Sequence, residues 1–333
     1  MVGKQQIISN VHLHWHFLYS LHFLYLRTMR NLLLLLLLLI TNNSIAQSPV
    51  VVILGNVQDA GSPHIGCTKD CCRYLFSNPD STRKVVSLGL IDTQKKHSYL
   101  FEASPNIGAQ LRLLRKYSMT DTDVPNGIFL THAHIGHYAG LMYLGREALN
   151  SKQVPVFAMP RMKQFLEQNG PWSQLVTLQN ILLQPLQDQQ PITLSNDLQV
   201  QPFLVPHRDE YSETVGYKII GPNKKALFIP DIDKWEKWTS NIIHEIAAVD
   251  YAFIDATFFD ASEVNNRNIN EIPHPFIVES MQRFADLPAA EKKKIYFIHF
   301  NHTNPALNIN SSVTQQIKKA GFNIARLGDL FTL

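Results

Sequence analysis

No stretch of this 333-residue chain offers the roughly 20 consecutive apolar residues that a membrane-crossing helix needs; the unbroken run Leu32–Ile40 stops at nine. An excess of one charge is lacking as well. The chain carries 30 basic and 27 acidic residues, and three of the basic ones, Lys4, Arg27 and Arg30, fall in the first 46 residues, which hold no acid. The remainder balances at 27 of each, so nothing in it implies a nucleic-acid patch. Cysteine is scarce: there are three, all inside "CTKDCC" (Cys67, Cys71, Cys72). An odd trio within six residues fits poorly with the paired disulfides of an exported protein, and metal binding is the better first reading. After Gln47 there is no linker, low-complexity tract or clear repeat.

What precedes Gln47 has the order of a secretory signal. Met29, Arg30 and Asn31 lead into the apolar run, and polar residues with small ones at Ser44 and Ala46 follow it. The division expected is therefore 1–28 as an upstream segment from a start placed too early, 29–46 as signal peptide, and 47–333 as one domain, periplasmic or secreted, with no stable membrane span after cleavage. A membrane anchor is the competing reading, and the short run speaks against it. His12, His14 and His16 alternate as metal ligands on one strand face would. They lie upstream of the signal, without acidic or cysteine partners nearby, and are set aside.

From Pro49 onward, short apolar runs alternate with helical stretches. "VVVILG", "KVVSLGLID", "SYLFEA", "GIFLTHAH", "LQVQPFLVPH", "TVGYKIIG", "KALFIPD", "YAFIDATFF" and "KIYFIHF" read as strands. "NIGAQLRLLRKY" (Asn106–Tyr117) and "YAGLMYLGREAL" (Tyr138–Leu149) read as helices. The economical architecture is a layered α/β domain. Its strands end in ionisable residues: His132, His207, Asp231, Asp255 and His299 all follow apolar runs, where a rigid sheet can hold chemistry on loops.

One window concentrates ligands. "THAHIGHYAGL" places His132, His134 and His137 within six residues at a strand end. A single histidine is more often a hydrogen-bonded or surface residue; three so placed favour metal. His132 and His134 can turn toward one ion and His137 toward a second beside it, leaving a position for water.

With His207 in "VPHRDEYSETVGYKI", Asp231 in "ALFIPDID" and His299 in "YFIHFNHTNP", the order resembles the metallo-β-lactamase superfamily over about Val50–Leu333. The resemblance implies a four-layer αββα sandwich with metal in a cleft at its edge. It implies one ion on His132, His134 and His207, and a second on His137, Asp231 and His299, with Asp231 bridging. "NVQDAGSPHIGCTKDCC", "FIPDIDKW", "FIDATFFD" and "HFNHTNP" are similar to the pyrroloquinoline quinone biosynthesis protein B group, related to the cyclic phosphodiesterase and ribonuclease Z branches. Members acting in the quinone pathway tend to have degraded histidine loops, whereas this chain keeps all three. In the related phosphodiesterases a cysteine group and a histidine three residues after the last catalytic one hold a structural zinc, which implies Cys67, Cys71, Cys72 and His302 here. The alternative for the thiols is two small buried residues and one free cysteine.

The same resemblance gives His274 the role of protonating the leaving oxygen; the alternative is a residue merely preceding a helix at Pro275. Asp255 is expected to support the site, and Asp209, Glu210 and Asp233 to orient histidines. His64 is a minor cleft candidate, and Trp235 and Trp238 are expected to pack. Gly136 stands where an HxHxDH motif has its aspartate. A weakened second metal position is expected, unless water or Asp233 fills the gap.

The expected function is exported, zinc-dependent hydrolysis, with metal-activated hydroxide attacking a phosphodiester of a small-molecule substrate and ester, lactone or β-lactam bonds second. It would use one or two catalytic zinc ions, with manganese as substitute, and one structural zinc. The competing class is a non-hydrolytic carrier for a quinone-like molecule. The oligomeric state is not legible.

Overall fold

The computed structural model describes residues 23–32, 48–264 and 268–333. Residues 23–32 are helical and exposed. The rest of the expected signal peptide and the upstream segment with His12, His14 and His16 lie outside the described residues. Contacts divide the chain into Met1–Gln47 and Ser48–Leu333, and all that follows concerns the second unit. No helix among the described residues is long and apolar enough to cross a membrane.

Fourteen strands in the described residues form two seven-stranded mixed sheets. The first has the order β14-β1-β2-β3-β4-β5-β6, with β1 at Val50–Gly55, β2 at Ser87–Asp92, β3 at His97–Phe101, β4 at Gly127–Phe129, β5 at Val154–Ala158, β6 at Ile181–Pro185 and β14 at Leu330–Thr332. The second has the order β13-β12-β11-β10-β9-β8-β7, with β7 at Ile192–Ser195, β8 at Leu198–Leu204, β9 at Val215–Ile220, β10 at Lys225–Ile229, β11 at Tyr251–Asp255, β12 at Ile295–Ile298 and β13 at Asn323–Ile324.

The strands are apolar throughout because each serves two cores. Side chains alternate across a strand, so Val51 and Ile53 enter the core between the sheets while Val52 and Leu54 face helices. Phe228 likewise points inward and Leu227 and Ile229 outward. The inner core joins Phe101, Phe129, Tyr217 and Phe228 across the two sheets. Helices cover both outer faces: α2 (Ile107–Ser118) packs Leu111 and Leu114 on the first, and α9 (Ser312–Lys319) packs Ile317 on the second. These four layers are the αββα sandwich of the metallo-β-lactamase fold.

Two expected elements come out differently. The helix expected at Tyr138–Leu149 is instead the short α3 (Ile135–Tyr138) followed by a 3-10 helix at Ala139–Leu144. Gly140 N donates to Ala103 O at 2.8 Å, and a Cβ on Gly140 would lie 2.7 Å from that oxygen, so the segment is held against the corner after β3 in tighter turns. "SYLFEA" ends as a strand at Phe101, because Glu102 takes a left-handed φ of 72° that turns the chain away.

The edge that carries the site is stitched by the chain leaving β1. Val57 bridges both Val85 and Phe300, and Gln58 N donates to Phe300 O at 2.8 Å. The loop after β1 is thereby fixed beside the loop after β12.

Candidate metal centre

Every candidate ligand leaves the carboxyl end of a strand, on loops the scaffold pins. After β4, Thr131 N faces Glu102 Oε2 at 3.4 Å and Ala133 N donates to Ser212 Oγ at 2.8 Å, so His132 and His134 are set before α3 begins. The first turn then presents His137, whose N donates to His134 O at 2.9 Å. His207 follows β8, Asp231 follows β10, and His299, with φ 68°, follows β12. A left-handed histidine at a strand end is strained backbone held by its surroundings, a condition that concentrates at functional sites.

Two groups of donor atoms result. His132, His134, His207 and Asp231 offer atoms all within 4.8 Å of one another, and so do Asp59, His137 and His299. Asp231 lies between them. Its Oδ1 is 3.4 Å from His207 Nε2, while its Oδ2 is 3.4 Å from His132 Nε2, 3.7 Å from His137 Nε2 and 3.8 Å from His299 Nε2. Bonds of about 2.0–2.2 Å at tetrahedral angles separate zinc ligands by roughly 3.3 Å, close to these spacings.

The donor set fits a divalent ion on a second count. Nε2 of His207, of His137 and of His299, Oδ1 of Asp231 and Oδ1 of Asp59 are buried without a hydrogen bond. Buried polar atoms left unpaired are costly, and here they converge. The outer ring nitrogens are oriented from behind: Thr131 Oγ1 lies 2.8 Å from His132 Nδ1, Glu210 Oε2 3.2 Å from His134 Nε2, Glu102 Oε1 3.3 Å from His137 Nδ1, and Thr257 Oγ1 3.1 Å from His299 Nδ1.

Electrostatics follow from burial and neighbours. Burial and the adjacent His137 hold His132 well below the ordinary histidine range, which keeps it in the neutral, ligating form. Burial also lowers His134. For His137 burial opposes charge, but the Glu102 and Asp59 carboxylates outweigh it and favour a cation there. Burial works against the Asp231 carboxylate too, and His207, His299 and His274 hold it well below its usual range.

His274 is at the site. Its Nδ1 lies 2.9 Å from Asp255 Oδ2 and 3.1 Å from Asp231 Oδ1, and these carboxylates, against the effect of burial, push the ring up to about 10. Asp255 Oδ1 also accepts from Thr257 N and Oγ1, at 2.9 and 2.7 Å, which ties His274 and His299 to one support.

Cys67, Cys71, Cys72 and His302 form a separate group, their donor atoms within 4.8 Å of one another. The three thiols are free. Cys71 and Cys72 sit on the first turn of α1 (Asp70–Ser77). His302 Nδ1 is buried without a partner, and burial, with His64 and Lys69 nearby, lowers the ring to about 4. The His64 ring lies tilted against His302, ring centres 4.3 Å apart, and so belongs with the thiols rather than with the group around Asp231.

Of the lesser candidates, Glu210 reaches His134, whereas Asp209 accepts from Thr214 Oγ1 at 2.7 Å and Asp233 pairs with Lys237 Nζ at 2.7 Å. Trp235 and Trp238 are buried packing residues whose ring N–H groups bond Ser280 Oγ and Leu204 O, both at 2.9 Å. Asp59 and Glu102 are the site residues that motif reading passed over. For Asp59 the one available signal was the glycine at 136, a missing carboxylate that something else had to supply.

Three comparisons place this geometry among known proteins. The profile described as "Beta-lactamase superfamily domain" matches residues 97–300. The coenzyme PQQ synthesis protein B of Xanthomonas campestris pv. campestris (strain B100) is 23% identical over 305 residues, covering 84% of this chain and 98% of its own. The zinc-bound PqqB of Methylobacterium extorquens superposes with a TM-score of 0.70 at 21% identity, covering 85% of this chain and 100% of that one. A diphosphatase of the PhnP family gives 0.61 at 19% identity, over 86% and 97% of the two chains.

Proposed function

Because the chain belongs to the β-lactamase superfamily domain family, matched over residues 97–300, we propose that it is an exported metal-dependent hydrolase, similar to PQQ synthesis protein B, that cleaves a phosphodiester bond in a small molecule. The observation that carries this reading is Asp231, whose carboxylate lies within 3.8 Å of buried histidine nitrogens from both groups, His132 and His207 of one and His137 and His299 of the other. A divalent ion bound there supplies water with its pKa lowered from 15.7 to about 7 and a Lewis acid for a phosphoryl oxygen. Zinc suits the imidazole-rich set, with manganese as substitute.

The residues divide the work. His132, His134 and His207 would hold the essential ion, and His137 and His299 a second, with Asp231 shared. His274 would carry the proton to the leaving oxygen, with Asp255 and Asp231 fixing its Nδ1. Cys67, Cys71, Cys72 and His302 would hold a structural zinc. The fold shared with a PhnP-family diphosphatase supports phosphoryl chemistry ahead of ester, lactone or β-lactam hydrolysis. Export is supported by the order of residues 29–46, and N-terminal sequencing of protein from a Gram-negative host should begin near Gln47; uncut protein in the cytosol would overturn it.

A second reading is a non-hydrolytic carrier or binding protein for a quinone-like molecule, whose link to a quinone rests on the relatives' name, coenzyme PQQ synthesis protein B. A panel of phosphodiesters, esters and lactones with zinc or manganese added separates the two. We expect phosphodiester turnover that is lost in His132→Ala. No turnover on any of them, with tight binding of a quinone, would replace hydrolysis by carriage.

A further inference from the structure

Gly136 does more than leave out a carboxylate. It gives up the space in which its own side chain would stand. A Cβ built there would lie inside contact distance of Asp59 Oδ1, 2.5 Å from Asp59 Cα and 2.9 Å from its Cγ. One of these neighbours cannot swing away: Cα is backbone, and the backbone around Asp59 is fixed. Val57 is bridged to Val85 and Phe300, Gln58 N is bonded to Phe300 O, and Gly61 N closes a turn on Gln58 O at 2.8 Å. Asp59 therefore arrives on a segment paired with the chain that presents His299.

The carboxylate faces a ring that already has a partner on its other side. Glu102 Oε1 lies 3.3 Å from His137 Nδ1, and Asp59 Oδ1 lies 3.1 Å from His137 Nε2. With Nδ1–H directed at Glu102, a neutral ring turns its Nε2 lone pair toward an anionic oxygen. That arrangement is repulsive unless the ring carries a second proton, as the two carboxylates favour, or a metal cation takes that proton's place between Nε2 and the oxygen. The same Nε2 also faces the bridging Asp231, and Asp59 Oδ1, His137 Nε2 and His299 Nε2 are all buried without a hydrogen bond.

We propose that Asp59, from the loop after β1, is the carboxylate ligand of a second metal position formed with His137, His299 and Asp231, taking the place that the histidine motif leaves open at Gly136. The second position is then complete rather than weakened, and neither water nor Asp233 is needed to fill it. The inference rests on the metallohydrolase reading and adds one ligand to it. Residue 136 must be without a side chain for Asp59 to stand where it does.

The test is zinc titration calorimetry with metal content by mass spectrometry on the full chain, comparing wild type, Asp59→Asn, Gly136→Asp and His132→Ala. Wild type should bind two ions beyond the thiol group. Asp59→Asn should keep one and bind the other more than about 100-fold more weakly, beyond the roughly 10–100-fold that loss of a residue merely orienting a ligand costs. Gly136→Asp should weaken the second ion by displacing Asp59, and retention of the first ion at wild-type affinity in Asp59→Asn is a result that loss of folding cannot mimic. Two tightly held ions in Asp59→Asn, with His132→Ala losing one, would overturn the assignment of Asp59 and leave the hydrolase reading standing. A wild type holding no ion beyond the thiol group would remove both.

Discussion

Glu263 shows how burial sets the charge of a residue away from the metal ligands. Burial pushes its carboxyl up to about 7, although Phe259 N and Thr303 Oγ1 donate to it at 2.5 and 2.6 Å. The folded protein thus holds this proton more tightly than the unfolded chain, whose ordinary value is 4.5. The contribution to stability is full below pH 4.5 and is lost as pH rises through about 7. A glutamine side chain at this position would keep an acceptor oxygen for Phe259 N and turn an amide N–H toward Thr303 Oγ1 while carrying no charge. Glu263→Gln should therefore melt with wild type near pH 5 and above it at pH 8, by roughly 5 °C for about 2 kcal/mol. A difference between the two that does not change with pH would contradict the assignment. Strain is the other residue-scale feature: Glu102 and His299 both take left-handed φ, 72° and 68°, immediately after β3 and β12. Each is thereby turned into the site from the end of its strand.

At the scale of elements, nine of the fourteen strands among the described residues were legible, while β5, β6, β7, β13, β14 and the contacts between loops were not. Val50–Gly55 and Lys225–Ile229 read as strands because two cores claim their alternate side chains, which makes the runs largely apolar, with an ionisable residue following several such runs. The histidine loop, His207, Asp231 and His299 were visible as such endings. Asp59 was not, since its place depends on the Val57–Phe300 bridge, a pairing between opposite ends of the chain that no local pattern encodes. Nor did periodicity show that Gly140 packs on Ala103 O and holds the segment after His137 short of a long helix. The thiol group was legible in composition, and α1 turns it into geometry by placing Cys71 and Cys72 on its first turn. Burial holds His302 down at about 4, so the ring is neutral and ready to ligate at any ordinary pH. A structural metal here is coupled to folding: thiol titration of native, zinc-replete protein should be slow, and His302→Ala should lower the melting temperature and speed that titration. Three thiols that react at once in the native wild type would exclude the zinc.

For the whole molecule, function depends on two sheets meeting at one edge. The first sheet delivers Asp59, Glu102 and the histidine loop, and the second delivers His207, Asp231, Asp255 and His299; the inner core of Phe101, Phe129, Tyr217 and Phe228 keeps the two in register. Phe101 and Phe228 meet edge to face with ring centres 6.1 Å apart, directly behind the strand ends that carry Glu102 and Asp231. Asp231 is the residue both halves of the centre share, so its loss should disable catalysis more completely than loss of any single histidine. The most direct test is the rate of hydrolysis of bis(p-nitrophenyl) phosphate by the zinc-loaded full chain, measured for wild type and for Asp231→Asn at matched protein concentration. Turnover that rises with added zinc in wild type and falls by at least about 1,000-fold in Asp231→Asn, a loss of about 4 kcal/mol in transition-state stabilisation, is the predicted result. Hydrolysis by Asp231→Asn at the wild-type rate, or a wild-type rate indifferent to zinc and to its removal by a chelator, would contradict a metal centre built around this carboxylate.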